Sequence, residues 1–387
     1  MKFRAVINRN TVFFFVVTLA IAAMIRYGWS RGIDYSPLNT DNISFMPGRV
    51  TEVVSDLTEI DEHGLHRGRQ DLQVELLSGA RAGEVIDVRN TLSIDHSVYV
   101  TKGQKIVVYL DQHPGESSYF ATVQSYERTG GIYTVIALFL CLLAAVGGKT
   151  GLRAAFGLIF TFVVIIFLLI PLIIRGAPPV WLSLGLIFCI IAVSLISTLG
   201  FTKKTCVSIL GTGIGVVFCC VFFVLVSNAL HITGYNVPEI DTLIVVEQNT
   251  NIKVGDFLFV GILISSLGAV LDVSVSVASS VSELSETDKS LGFNSLFRSG
   301  MRIGRDIIGA TANTLIMAFV GAFFVTLIMF RIYHFQFFQL INLNEISIEL
   351  LQAVASASAL ILCAPVTAFI AARMYGGKSV KKKPVRS

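Results

Sequence analysis

Asp272 is the one ionisable side chain deep inside any of the long apolar runs of this chain. A carboxylate at the centre of a bilayer costs about 2.5–3.5 kcal/mol on insertion scales, so such a residue is read by default as functional. On a helix advancing about 100° per residue, Ser265, Ala269, Asp272, Ser276, Ser279 and Glu283 fall on one stripe, a face unsuited to lipid. The next run opens with Arg305 and Asp306, and Arg302, Asp306, Gly309 and Asn313 recur at helical spacing. With a rise of 1.5 Å per residue, Asn313 lies roughly 10 Å inside its span, a depth at which it meets Asp272 across a helical hairpin. The last apolar run adds Gln352, Ser356, Cys363 and Thr367 on one face, with Pro365 freeing a backbone carbonyl about one turn earlier. The expected site is a polar core of the last three spans: Asp272, Ser265, Ser276, Ser279, Glu283, Asn313, Asp306 and Arg305. It serves either ion- or proton-linked translocation or interhelical hydrogen bonding that holds a bundle together.

Other constellations are weaker. His63 and His66 flank Gly64 beside Asp61 and Glu62, but the H-E-x-x-H spacing is absent and a solvated polar loop is the plainer reading. Gly211, Thr212, Gly213, Ile214 and Gly215 lack the Lys-Ser/Thr ending of a phosphate loop; Gly211 and Gly215 read as a small-xxx-small helix contact. No G-x-S-x-G elbow occurs, and Asp256 and Asp272, about 24 Å apart along one helix, form no aspartyl dyad. No enzymatic activity, cofactor or metal is expected. All six cysteines fall in apolar runs and are expected to act as small buried apolar residues.

These residues need a bilayer to position them. The chain has 387 residues, 53% hydrophobic and only 14% charged, with mean hydropathy +0.72. A soluble chain averages roughly 25% charged residues, and a membrane helix needs about 20 apolar ones. Val12 to Ile25, Thr129 to Gly148, Ala154 to Ile174, Gly176 to Thr202, Thr205 to Pro238, Phe257 to Ser282, Ile307 to Phe330 and Leu350 to Ala372 give eight spans. The first, flanked by Arg26, Tyr27 and Trp29, reads as a retained anchor rather than a cleaved leader. Lys and Arg crowd alternate connections, Lys149 and Arg153, Lys203 and Lys204, then Lys289 to Arg305, and the carboxyl tail; both termini are therefore expected in the cytoplasm of a cell-membrane protein. Between Ser282 and Asp306, Phe293, Leu296, Phe297, Gly300, Met301 and Gly304 oppose Arg298, Arg302 and Arg305, the pattern of an interfacial helix lying on lipid. The outer connection holds a short apolar run, Leu243 to Val246, that suits a re-entrant element.

Residues 30–128 alternate with period two, and turn signals at Ser78-Gly79, Ala82-Gly83, Lys102-Gly103 and Pro114-Gly115 separate five or six strands. A small all-β domain, an OB- or SH3-like barrel outside the cytoplasm, follows. Its 15 Asp and Glu against 9 Lys and Arg argue against a nucleic-acid partner. The fold expected is thus a polytopic α-helical membrane protein: residues 1–29 with the anchor, the β domain over 30–128, a seven-span domain over 129–376, and a basic tail over 377–387.

Gly255-Asp256-Phe257, Gly268 through Ser276, Ser282-Glu283-Leu284 and Gly304-Arg305-Asp306-Ile307-Ile308-Gly309 together resemble the YibE/F-like family of bacterial multi-pass membrane proteins. The resemblance extends over most of the chain, including Leu77-Ser78-Gly79 and Gly211-Thr212-Gly213. It implies the topology and directs attention to Asp272, Glu283, Arg305 and Asp306, without implying a catalytic role. The expected function is that of a gradient-driven transporter or permease-like component for a small solute or ion, the bilayer and a second membrane subunit being its partners. The alternative is a membrane scaffold or sensor whose β domain binds a partner. With no phosphate-binding loop to supply nucleotide energy, transport draws on an ion gradient or a partner.

Overall fold

In the computed structural model, residues 9–30, 42–79, 81–112, 118–236, 244, 247 and 254–376 are described. Pro114-Gly115, most of Leu243 to Val246, and the basic tail lie outside them. The chain divides into two compact units, Asp34–Leu142 and Met1–Ile33 with Leu143–Ser387.

The first unit is built on β1 (Ile43–Ile60), β2 (His66–Leu76), β3 (Val85–Leu92), β4 (Lys105–Asp111) and β5 (Phe120–Tyr126). All pairings are antiparallel and the order is β3-β2-β1-β4-β5. The 18-residue β1 is longer than its sequence signal, because it pairs with β4 through Ile43 to Arg49 and with β2 from Gly48 to Ile60. Strict alternation turns Leu72, Val74, Leu76, Ile86, Val88, Ile106 and Val108 inward, each at most 2% exposed. Two amides share this interior: Gln70 Nε2 donates to the Val100 carbonyl at 3.1 Å, and Asn90 Nδ2 to Gln70 Oε1 at 3.1 Å and to the Val98 carbonyl at 2.8 Å. They tie the segment before β4 to β2 and β3, as buried amides must find partners. Asp61 accepts from the backbone of His63 and Leu65 and pairs with Arg67, so this carboxylate organises the polar turn between β1 and β2.

The remaining elements are helical: α1 (Arg9–Ser30), α2 (Thr129–Val164), a five-residue π-helical turn (Ile165–Leu169), α3 (Ile170–Ile174), α4 (Pro179–Leu199) and α5 (Lys203–Leu230). They continue with α6 (Phe257–Thr287), α7 (Phe293–Ala322), α8 (Phe324–Ile332), α9 (Phe337–Ile341) and α10 (Asn344–Tyr375). Six helical stretches among the described residues are long and apolar enough to cross a membrane; α1 carries a shorter apolar stretch, Val12–Tyr27. Thr129–Ile174 forms one such stretch of 46 residues, but Gly148, at φ 53° and ψ −135°, breaks it where the sequence changes from apolar run to Lys149. Pro171 follows the π-helical turn, which absorbs the hydrogen bond that proline cannot make. Arg175, just past α3, stacks on the Tyr27 ring of α1 at 4.6 Å.

The helical core sits where α5, α6 and α10 pack on one another, with α4 and α7 against them. Two expectations need correction. The amphipathic segment from Phe293 is not a separate interfacial helix: it forms the first turns of α7, and its apolar and glycine face docks on protein. Leu296 is fully buried, a Cβ at Gly300 would meet Val281 at 2.8 Å and Ala368 at 3.1 Å, and Phe293 packs edge-on against Phe369. Nor are all cysteines buried, since Cys141, Cys189 and Cys206 are exposed and only Cys219 and Cys363 are fully enclosed. A small side chain on an outward helix face has no neighbour to cover it.

Candidate functional site

Three helices meet along a line of small and hydroxyl-bearing residues. On α5, Ser208, Gly211, Thr212, Gly215 and Cys219 share a face by their spacings of three and four. Thr202 starts that helix by accepting the Thr205 amide at 3.2 Å, which fixes where its face begins. On α6 the facing residues are Ser266, Val270 and Ser274; on α10 they are Ser356, Ala359, Cys363 and Thr367.

Contacts are close because glycine removes the obstacle. A Cβ at Gly211 would collide with Thr367 Oγ1 and stand 2.7 Å from Ser274 Oγ, and one at Gly215 would lie 2.6 Å from Val270 and 3.2 Å from Cys363. The small-xxx-small reading of these glycines is therefore met. Ser274 Oγ donates to the Ser208 carbonyl at 3.0 Å, Thr367 Oγ1 donates to Ser274 Oγ at 3.3 Å, and the Cys363 thiol lies 3.5 Å from the carbonyls of Gly211 and Val270. Three further hydroxyls, Ser208 Oγ, Thr212 Oγ1 and Ser356 Oγ, are enclosed without a hydrogen-bond partner among the described residues. Each residue of the set Ser208, Thr212, Ser274, Ser356 and Thr367 is 0% exposed. An unpaired buried hydroxyl costs about 1–3 kcal/mol, so the seam keeps hydrogen-bonding capacity that this packing leaves unused.

The expected site is distributed differently. Asp272 occupies the midpoint of α6, fifteen residues from either end, and is exposed on the side opposite the seam. Ser265, Ser276 and Ser279 are half-buried beside it, while Glu283, Arg305, Asp306 and Asn313 are exposed. The expected contact between Asp272 and Asn313 is absent: neither side chain hydrogen-bonds or ion-pairs with any described residue. The physical reason lies in α6, which carries two polar stripes. Val270, Val273, Val277 and Val281 frame the Ser266 and Ser274 stripe and draw it into the core, turning Asp272 outward. On α10 the expected face is right, with Ser356, Cys363 and Thr367 enclosed and Gln352 half-buried. Ser208, Thr212, Ser266 and Ser274 were missed, although spacing puts Ser208 and Thr212 on the face of Gly211 and Gly215 in α5, and Ser266 and Ser274 on one face of α6.

A cavity of about 450 Å³ opens between the carboxyl end of α5 and the amino end of α10, lined by His231, Ile232, Asn342, Asn344, Ser347 and Leu351 among others. His231 closes α5 in the left-handed conformation, at φ 54°. Among the described residues no group of three or more His, Cys, Asp or Glu gathers to hold a metal.

A family model described as YibE/F-like protein matches residues 135–377, more than half of the chain. The match takes in the whole seam and Asp272 but begins after the last β strand, so Leu77-Ser78-Gly79 falls outside it. No curated protein and no solved structure matches the chain.

Proposed function

Because the chain belongs to the YibE/F-like family and is built of membrane-length apolar helices, we propose that it is a gradient-driven, permease-like component whose α5–α6–α10 seam is the closed form of a translocation path. One observation carries this reading: three enclosed hydroxyls, on Ser208, Thr212 and Ser356, stand without a partner among the described residues inside an apolar bundle. Polar capacity held inside hydrocarbon at a cost suits a path that opens and hydrates, with hydroxyls and carbonyls replacing part of the water shell of a small solute or ion. The Gly211 and Gly215 contacts suit such opening, since smooth surfaces let one helix move against another. Asp272, outside the seam, takes no direct part in this scheme. The topology that goes with it has eight spans, the break at Gly148 separating two of them, with both termini cytoplasmic and the β unit on the far side of the cell membrane.

The test uses purified full-length protein in sealed vesicles, with proton and sodium gradients read by a pH-sensitive dye and by radiolabelled sodium. Ser274→Ala combined with Thr367→Val nearly keeps the volume of the seam and removes the two hydroxyls that bond across it. The expected result is a gradient-driven flux that falls at least about tenfold in this variant, equivalent to about 1.4 kcal/mol on the barrier. Cys363, kept as the sole cysteine, is expected to react with a small water-soluble thiol reagent only while a gradient is applied. Flux indifferent to the double variant would sink the proposal, as would a thiol that stays closed under every gradient.

A further inference from the structure

The β unit holds a groove that the translocation reading does not use. It is an open cavity of about 600 Å³ on the face of β2 and β3, reaching β1 at Val54, β5 at Phe120 and, just before β5, Tyr119. That volume is within the usual range of small-molecule sites. Its charged residues are unequally occupied. Arg69 grips Asp71 with two hydrogen bonds, at 2.9 and 2.6 Å, which hold the Asp71 carboxyl below the ordinary carboxylate range. Arg89 reaches the same carboxylate only at 3.8 Å, beyond hydrogen-bonding distance, and its side chain is 62% exposed. Among the described residues neither the Arg89 guanidinium nor the Asp87 carboxylate makes a hydrogen bond.

Asp87 and Arg89 point to the same side of β3, two residues apart, so their backbone positions are separated by roughly 6.6 Å at the rise of a strand. The groove therefore presents an anion and a cation with unspent capacity at that spacing. Apolar surface flanks them, with Val54 60% and Phe120 57% exposed. The Tyr119 ring is fixed between two neighbours: its hydroxyl accepts the Asp87 amide at 3.2 Å, and the Arg81 guanidinium stacks on it at 5.0 Å.

We propose that this groove binds a zwitterion of the amino-acid type, a short peptide with free ends, whose carboxylate pairs with Arg89, whose ammonium pairs with Asp87 and whose apolar side chain rests on Tyr119 and Phe120. A planar guanidinium with free donors suits a carboxylate in the bidentate manner. A simple anion satisfies only one of the two charges and is repelled by the other, so the pair selects ligands that carry both.

Calorimetric titration of the full chain in lipid nanodiscs tests this with phenylalanyl-alanine, its N-acetyl and C-amide forms, and free phenylalanine. The dipeptide is expected to bind saturably, and blocking either end is expected to weaken it about tenfold or more. Arg89→Gln should weaken the dipeptide and remove the penalty for the C-amide; Asp87→Asn should do the same for the N-acetyl form. Both positions are exposed, so thermal unfolding should be unchanged in these variants. Tighter binding of phenylalanine than of the dipeptide supports the site and assigns it to free amino acids. Failure of both ligands to bind saturably would overturn the proposal, and so would binding indifferent to both substitutions. Neither result bears on flux through the helical unit.

Discussion

Asp56 shows how much one exposed carboxylate can organise. It accepts the Thr58 hydroxyl at 2.6 Å, the Tyr99 hydroxyl at 2.9 Å and the Gln70 amide at 3.2 Å, joining β1, β2 and the segment before β4. Partial desolvation pushes its carboxyl up, but the bonds from Thr58, Tyr99 and Gln70 outweigh that and hold it below the ordinary range. A carboxylate with a depressed folded pKa adds stability above its unfolded value of about 3.9, and the contribution is lost as pH falls through the folded value. Tyr99→Phe is therefore expected to loosen the β unit at pH 7 and to differ little from the parent once both are well below that window; hydrogen exchange of β1 and β2, compared between the two proteins at each pH, measures it. Asp272 poses the opposite case, a carboxyl group at mid-helix on an outward face. Asp272→Leu is expected to raise thermal stability in lipid, because it removes a carboxylate that costs about 2.5–3.5 kcal/mol at a bilayer centre. A clear loss of stability would mean instead that another protein surface covers Asp272.

The docking of α7 is decided by two glycines. Gly300 lies against Val281 and Ala368, and Gly304 allows Ala364 to within 3.2 Å of where its own Cβ would be, whereas among the described residues no other part of the fold stands within 4 Å of where a Cβ at Gly309 would be. Gly300→Leu is expected to destabilise the helical unit by about 1–3 kcal/mol, as overpacking does. Gly309→Ala should leave it unchanged or slightly firmer, through better helix propensity. Thermal unfolding of the detergent-solubilised variants separates the two, and equal effects would refute the docking. Beyond Gly304 the helix is mostly exposed and apolar, a surface suited to lipid. The basic side chains Arg298, Arg302 and Arg305 project away from the docked face, so the amphipathic pattern was legible while its partner was not. A sequence moment gives the direction of an apolar face; lipid and a neighbouring helix satisfy it equally well.

At the scale of the molecule, a β unit and a helical unit meet in one chain through α2, which runs across the boundary at Leu142. If the distribution of Lys and Arg orients the protein as proposed, a protease site placed in the turn at Gly103 of right-side-out cells should be cut from outside, and one placed after Tyr375 should be protected. Cleavage of both from the same side would refute the eight-span topology, because it demands an odd number of crossings between them. The family match covers only the helical part, so the β unit and its groove stand on their own geometry.

Composition and period alone determined that this chain builds membrane-length helices and a β unit of five or six strands, because the bilayer requires long apolar runs and a half-buried strand requires alternation. They also marked Gly211 and Gly215 as a close contact and one face of α10 as polar. Only the tertiary structure decided which of the two polar stripes of α6 turns inward. Both stripes obey the helical period, and the choice rests on the fit of α6 against α5 and α10, where Gly211 of α5 leaves room for Ser274 and Thr367. For the same reason the enclosed hydroxyls of Ser208, Thr212 and Ser356 became visible only when three helices distant in sequence were brought together.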